Sequence, residues 1–401
     1  MFGFSRRRMK FGRFKVQLSD SAQGTRGPVR HSKQLGSTNG ESVASKTHKP
    51  DELNFQSSSS APELNNCTSG SSEKWMVLSV SGDKPTPHFY HAAAVVGNKM
   101  VVVRQFYESN SLPVFFQVPW GKKVLLIGGK TDPVSDKVSV WAFNIEIECW
   151  SLMEAKGAVL VARSAHTIVK ENSVLILFGG EDSKRRKLND LHTAAEPAPG
   201  KGARSRVLAP PKCSAPRPSP RSIHAAALYD DKMLLIFGGA SKSWMLNVLY
   251  FLILRHFMVW SRINVRGFHL SPRAGCCRAL CGTKWFIAGG ESRKKGHAET
   301  LIFDVLKLEW SVAVAPFPSS ITTNKGFSLV PVQHKERDFL VAFGGFKKDP
   351  SNQVEVLIVE KVESSMIQRA TLSKVAGTLL SENHALSIGM QTWPSHGSLN
   401  C

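Results

Sequence analysis

Three arginines, Arg163, Arg221 and Arg273, occupy one position of a recurring pattern, three residues before His166, His224 and Cys276. Guanidinium forks repeated around a common axis would grip carboxylate or phosphate groups of a partner, or each would pair with a loop of its own repeat. His91, His166 and His224 share a register of their own, which suits hydrogen bonding within each repeat better than a ring of ligands. Cys276, Cys277 and Cys281 in CCRALC raise the question of zinc, which thiolates bind when correctly spaced. Neighbouring residues of a strand face opposite ways, and no fourth ligand lies near, so packed thiols are expected. The tyrosines are Tyr90, Tyr107, Tyr229 and Tyr250, and none forms a Tyr-His pattern suited to a copper-radical centre. No glutamate has an aspartate four residues later, which removes an E-x-x-x-D-x-x-x-H run for iron. The expectation is a protein without catalytic residues, metal or cofactor, and not an enzyme.

The elements that position these residues repeat. Apolar runs close on paired glycines at Gly128-Gly129, Gly179-Gly180, Gly238-Gly239, Gly289-Gly290 and Gly344-Gly345, with first glycines 51, 59, 51 and 55 residues apart. Trp150, Trp260 and Trp310 follow the second glycine by 21, 21 and 20 residues. The step from Trp75 to His91, Trp150 to His166, Trp260 to Cys276 and Trp310 to Gly326 is 16 each time. A period near fifty with two anchored positions is that of a kelch-type propeller blade of four antiparallel strands. Glycine lets the second strand end against a neighbouring backbone, and tryptophan fills the wedge between blades. The diglycines lie at strand ends with no helix following, so they are not phosphate loops.

Six units can be counted. The last, ending near Glu360, has no fourth strand, and KWMVLSV around Trp75 is a fourth strand with nothing before it. The expected fold is therefore all-β: a six-bladed kelch β-propeller over 74–362, closed by the N-terminal strand near Trp75, which removes exposed sheet edges. Two lesions interrupt it. Arg104 stands where a glycine belongs and roughly a strand or two is missing before Trp120, leaving the first and second blades incomplete. The third unit is sound through Asn189-Asp190, then 191–220 becomes an irregular Pro- and Gly-rich insertion with neither strand pair nor tryptophan. Val248 stands where the third unit has Asp190.

Residues 1–73 are expected to be a disordered basic, Ser-rich segment, with Phe2, Phe4, Phe11 and Phe14 among basic residues as an exception that could anchor to a surface or partner. The tail 363–401 is expected to be mostly disordered, with room for a short helix. Of the formal net charge of +21, much lies in residues 1–50, where eleven Lys and Arg face only Asp20 and Glu41. More sits in loops such as Lys184–Lys187 and Arg293–Lys295. Seven unevenly spaced cysteines argue for free thiols in a reducing compartment, and no run approaches the roughly 20 apolar residues of a membrane span. The expected location is cytoplasmic, with nucleus or organelle as alternatives through the basic N-terminus.

The segments PTPHFYHAAAVVGNKMVVV, KKVLLIGGKTDPVSDKVSVWAF, ARSAHTIVKENSVLILFGGEDSKRRKLNDLH and PRSIHAAALYDDKMLLIFGG resemble the kelch region of plant kelch-type acyl-CoA-binding proteins. The resemblance covers about 75–360 and implies a propeller that serves as a protein-interaction platform, linked to acyl-CoA or lipid metabolism. Those proteins carry a helical acyl-CoA-binding domain before the propeller; residues 1–73 are too polar to form it, so that activity is not carried over. The functional expectation is a non-enzymatic scaffold binding an unidentified protein partner. The alternatives are binding of anionic lipid or nucleic acid through residues 1–50, and a degenerate copy without function.

Overall fold

The computed structural model describes residues 11–14, 75–79, 85–87, 89–103, 115–129, 137–153, 160–195, 206–208, 217–254, 259–293, 295–314, 320–334 and 336–360. They belong to one of the chain's two units, and the other, Gln17–Gly70, lies outside the described residues. So do the tail 363–401 and most of 1–73.

Tight turns cut the apolar runs into hairpins. The turn residues Gly97, Gly121, Asn172, Asp230 and Gly282 all have positive φ, between 49° and 60°. Two-residue hairpins need that conformation, and Gly, Asn and Asp adopt it most readily. Two strands precede the first hairpin, β1 (Phe11–Phe14) and β2 (Trp75–Val77). The first hairpin is β3 (Ala92–Val96) and β4 (Lys99–Val103). A second sheet holds β5 (Phe115–Trp120), β6 (Lys123–Gly128), β7 (Val140–Asn144) and β8 (Cys149–Met153). The third holds β9 (Arg163–Ser164), β10 (Thr167–Glu171), β11 (Val174–Asp182), β12 (Lys187–Ala195) and β13 (Arg206–Leu208). The fourth holds β14 (Ala225–Tyr229), β15 (Met233–Phe237), β16 (Leu249–Ile253) and β17 (Trp260–Arg262). The fifth holds β18 (Arg266–Gly267), β19 (Cys277–Cys281), β20 (Lys284–Ala288), β21 (Thr300–Asp304) and β22 (Glu309–Val314). The last has β23 (Ser328–His334), β24 (Arg337–Phe343) and β25 (Val354–Val359), with β2 on its outer edge. The only helix among the described residues is one turn of 3-10 helix, Ile321–Thr323.

The fold is all-β and its sheets are arranged as propeller blades: five of four or five strands, and a first sheet of three in the order β1-β4-β3. Each core cluster spans two sheets. Phe237, Phe251, Trp285, Phe303 and Trp310 join the fourth to the fifth, and Met100 and Val102 pack with Val341, Phe343 and Val356, joining the first to the last. The tryptophans sit in these wedges. Trp260 lies 5.2 Å from Phe178 of the third sheet, and Trp310 lies 5.1 Å from Phe237 and 4.9 Å from Phe303. Trp75 pairs with Leu357 in register, packs in the wedge between the fifth and last sheets, and donates its indole N–H to Thr300 Oγ1 at 3.0 Å.

The diglycines act between sheets. Gly180 N, Gly239 N and Gly129 N donate to the carbonyls of Arg221, Arg273 and Arg163 in the following sheet, at 2.9, 3.0 and 3.1 Å. At Gly238 (φ 64°) a Cβ would lie 2.6 Å from the Arg273 carbonyl oxygen, so close approach and backbone angle both demand glycine.

The lesions fall differently from the expectation. The second sheet is complete, because FFQVPW supplies its first strand, with Phe115 opposite Gly128 and Phe116 opposite Ile127. Phe115 thus holds the register position of His166; without histidine at that position, and with Pro119 inside it, the strand escaped detection. Among the described residues the first sheet has no in-line third or fourth strand, and the next strand after β4 belongs to the second sheet. The third sheet also has its outer strands: β12 continues through HTAA to Ala195, and the short RVL of β13 pairs with it at Thr193–Ala195. A three-residue strand suffices on an outer edge, where only one side is paired. In the last unit Gly326 has φ 64° and Phe327, not Gly326, takes the opening position, as Tyr90-His91 and Ala165-His166 do elsewhere. One strand also departs from the expectation of disorder over 1–73: Phe11–Phe14 pairs antiparallel with β4.

Candidate functional site

The three repeated arginines are buried, with relative exposures of 3%, 1% and 1% for Arg163, Arg221 and Arg273. Arg163 forms a two-pronged pair with Asp190, at 2.6 and 2.8 Å, and donates to the Gly179 carbonyl at 3.1 Å. Arg273 donates to Glu299 Oε1 at 2.7 Å. Arg221 bonds the Gly238 carbonyl at 3.1 Å and Ser219, and its guanidinium stands over the Tyr250 ring at 5.2 Å. As they stand these side chains face inward and not toward a partner: Arg163 and Arg221 tie the opening turn of a blade to that blade's own second and third strands, and Arg273 ties its turn to Glu299 at the start of the third. Spacing carries the explanation, because Asp190 and Glu299 follow their arginines by 27 and 26 residues. The residue 27 after Arg221 is Val248, and among the described residues Arg221 has no carboxylate partner.

The electrostatics match this structural role. Burial pushes the Asp190 carboxyl up, but hydrogen bonds from His192 and Arg163 more than reverse this and hold it well below the usual carboxylate range. Burial lowers Arg221 to about 10, with Tyr250 opposing the shift. His166 is lowered to about 3 by burial and by Arg163, and neither ring nitrogen has a hydrogen-bond partner. His224 Nε2 meets Thr167 Oγ1 at 2.6 Å and His91 Nε2 meets Ser328 Oγ at 2.9 Å, each on a neighbouring sheet. The residue that would serve His166 in the same way is Phe116, whose ring lies 6.5 Å away.

First strands and opening turns of all six sheets line a cavity of about 690 Å³. Arg278, which the sequence did not single out, lies within it: Nε donates to the Ala226 carbonyl at 2.9 Å and the guanidinium faces Phe116 at 4.7 Å. Burial raises the thiols beside it, Cys276 to about 12, and Cys277 donates to the Phe327 carbonyl. Both thiols are therefore protonated at neutral pH, as packed strand thiols would be. No group of three or more metal-binding side chains occurs among the described residues.

The cavity opens among the turns on one face. Bridges from Ser222 to Ala240, Ala274 to Glu291 and Lys325 to Phe346 place the loops after the diglycines beside the opening turns. Those loops are basic: Lys184, Arg185 and Arg186 in the third sheet, Lys242 in the fourth, Arg293 and Lys295 in the fifth, Lys347 and Lys348 in the last, all exposed. Short side chains fold the loops back and present the charges. Asp182 accepts from the backbone N–H groups of Lys184 and Arg186, Ser241 caps Trp244, and Ser292 caps Lys295. Trp244 is 69% exposed, with the Arg293 guanidinium over its ring at 5.4 Å. The sequence showed the charges; the topology gathers them on one face.

The profile of the KLHDC2/KLHL20/DRC7 Kelch-repeats domain family matches residues 116–345. The chain is 29% identical over 349 residues to acyl-CoA-binding domain-containing protein 4 of Arabidopsis thaliana, spanning 78% of this chain and 51% of that one. It is 30% identical over 320 residues to acyl-CoA-binding domain-containing protein 5 of the same plant, spanning 71% and 48%. To the bovine (Bos taurus) Rab9 effector protein with kelch motifs it is 27% identical over 214 residues, spanning 52% and 54%. The chain thus spans about half the length of these curated relatives.

Proposed function

Since the chain belongs to the kelch-repeat family, we propose that it is a non-enzymatic scaffold: a six-bladed propeller, closed by β2, that binds an acidic partner protein through its basic face. Three contacts support the closed six-bladed reading: the Trp75–Leu357 pairing, the bond from Tyr90 N to the Gly326 carbonyl at 2.8 Å, and the packing of β4 on the last sheet. The observation that carries the functional reading is the exposed Trp244 with the Arg293 guanidinium over its ring, on the face whose loops after the diglycines carry the exposed Lys184, Arg185, Lys242 and Lys295. Clustered cations steer acidic partners, and an exposed tryptophan supplies the anchor that interface centres favour. In the plant relatives the names attach acyl-CoA binding to proteins about twice the length covered here, and a link of this chain to acyl-CoA or lipid metabolism rests on that likeness. The reading places the chain in the cytoplasm; among the described residues no helix is long and apolar enough to cross a membrane.

The test is binding to a labelled polyglutamate peptide at physiological salt. Replacing Lys184, Arg185, Lys242 and Arg293 by Glu should weaken it at least tenfold, and Trp244→Ala should weaken binding of a peptide that also carries aromatic residues. Unchanged binding would remove the basic face from the account. The second reading, anionic lipid or nucleic acid held by residues 1–50, rests on their charge. It requires instead that replacing Arg6, Arg7, Arg8, Lys10 and Lys15 by Gln abolishes binding to phosphatidylserine vesicles or single-stranded DNA, with a steep salt dependence.

A further inference from the structure

Among the described residues the first sheet leaves its second strand without an in-line neighbour on its outer edge. In the other five sheets the outer edge of the second strand is covered by the strand that follows it: β7 on β6, β12 on β11, β16 on β15, β21 on β20 and β25 on β24. Among the described residues the next strand after Val103 is β5, which belongs to the second sheet. Both faces of β4 are nevertheless filled. Met100 and Val102 pack against the last sheet, and Val101 packs with Val124 and Phe143 of the second. What β4 has to offer is its edge, a row of backbone N–H and C=O groups whose outward-facing half has no in-line partner. Edges of that kind recruit strands unless covered.

Here the cover comes from far away. Residues 11–14, FGRF, pair with β4 in antiparallel register, Phe11 with Val103 through Phe14 with Met100. They take the place a third strand has elsewhere. Residues 15–74 separate this strand from Trp75, sixty positions. The strand contributes four residues where in-line third strands contribute five to nine. A cover so short and so distantly tethered is open to competition.

We propose that the outer edge of β4 is a strand-docking slot, held by residues 11–14 in competition with a partner protein's extended segment of similar chemistry, Phe alternating with small and basic residues. Main-chain pairing supplies the affinity, as in other strand-addition complexes. The slot is distinct from the basic face, which lies on the loops, and does not depend on it.

The test uses the full chain and a fluorescent peptide of the sequence RMKFGRFKVQ, residues 8–17. A Gly12→Pro/Arg13→Pro variant removes two successive N–H groups, one of which faces β4 in any antiparallel ladder. This variant should bind the peptide at least tenfold more tightly than the wild type, and a peptide carrying the same two prolines should not bind. In the wild-type chain, excess peptide should raise amide exchange at residues 11–14 while residues 99–103 stay protected, a readout that does not need the variant to fold. Equal binding by both chains, no binding by either, or unchanged exchange at 11–14 would overturn the proposal. A wild-type dimer whose peptide uptake falls as protein concentration rises would assign the slot to a second copy and overturn it too.

Discussion

Arg221 is the residue whose surroundings are least complete. Its two counterparts each have a carboxylate, while it has a valine and a tyrosine ring, a change of two positions together: Asp190 and His192 in the third sheet, Val248 and Tyr250 in the fourth. A cation facing an aromatic ring recovers part of what a lost ion pair gave, but a buried charge without a counter-ion remains costly. Val248→Asp should therefore stabilise the protein by about 1–3 kcal/mol in denaturant melts, and the gain should vanish when Arg221→Met is added. No gain in the single variant would show that Arg221 is already satisfied. The histidines give a pH signature. His166 has its pKa lowered from 6.5 to about 3, so the unfolded chain takes up its proton first. Stability from this group is complete above pH 6.5 and is lost progressively as the pH falls toward 3. His224, also lowered, acts in the same sense. Asp190 is lowered from the carboxylate range, so its contribution is present above about pH 4 and disappears below it. His166→Phe, the residue type at the matching position of the second sheet, should reduce proton uptake on unfolding near pH 5 by about one. An unchanged slope of stability against pH would refute the neutral buried assignment.

Individual strands show what could be read from the chain and what could not. The second strands announce themselves, because an apolar run ending in two glycines satisfies both the core and the close approach to the Arg221 and Arg273 carbonyls. The tryptophan strands do as well, since one large ring must fill each wedge. The first strand β5 was hidden, its opening histidine being replaced by Phe115 and its interior broken by Pro119. The outer strands β13 and β1 were hidden for a deeper reason. An edge strand needs only backbone pairing on one side, so its side chains carry little pattern, and β1 pairs with a strand almost ninety residues away. The carboxylate partners were legible in principle through the 27- and 26-residue spacing, whereas burial of their arginines needed the fold. These differences have energetic consequences. Replacing Arg206–Leu208 by Gly-Ser-Gly should cost under about 1 kcal/mol, because a three-residue edge strand is peripheral. Trp260→Ala should cost about 3–5 kcal/mol, because that ring is 2% exposed between two sheets. A reversal of that order would mean that the edges, not the wedges, hold the blades.

At the scale of the whole molecule, the cavity, the basic face and the strand slot all depend on the sheets closing around one axis. Without closure the opening turns would not converge, and Trp244, Arg293 and the Lys184–Lys187 loop would not share a surface. In the closure proposed above, β2 supplies only Trp75–Val77, extended by the bond from Leu78 N to the Val354 carbonyl at 2.9 Å. The buried Trp75 ring joins this short strand to the fifth sheet through Thr300, so a break there would loosen the wedge between the fifth and last sheets. Amide hydrogen exchange of the full chain, followed across Trp75–Leu78 and Val354–Val359, measures this directly. The account requires both segments to be protected as strongly as the core strands β15 and β20 and to open together with them. Exchange of Trp75–Leu78 at the rate of an unpaired tail, while Val354–Val359 stays protected, would contradict closure and with it the shared binding face.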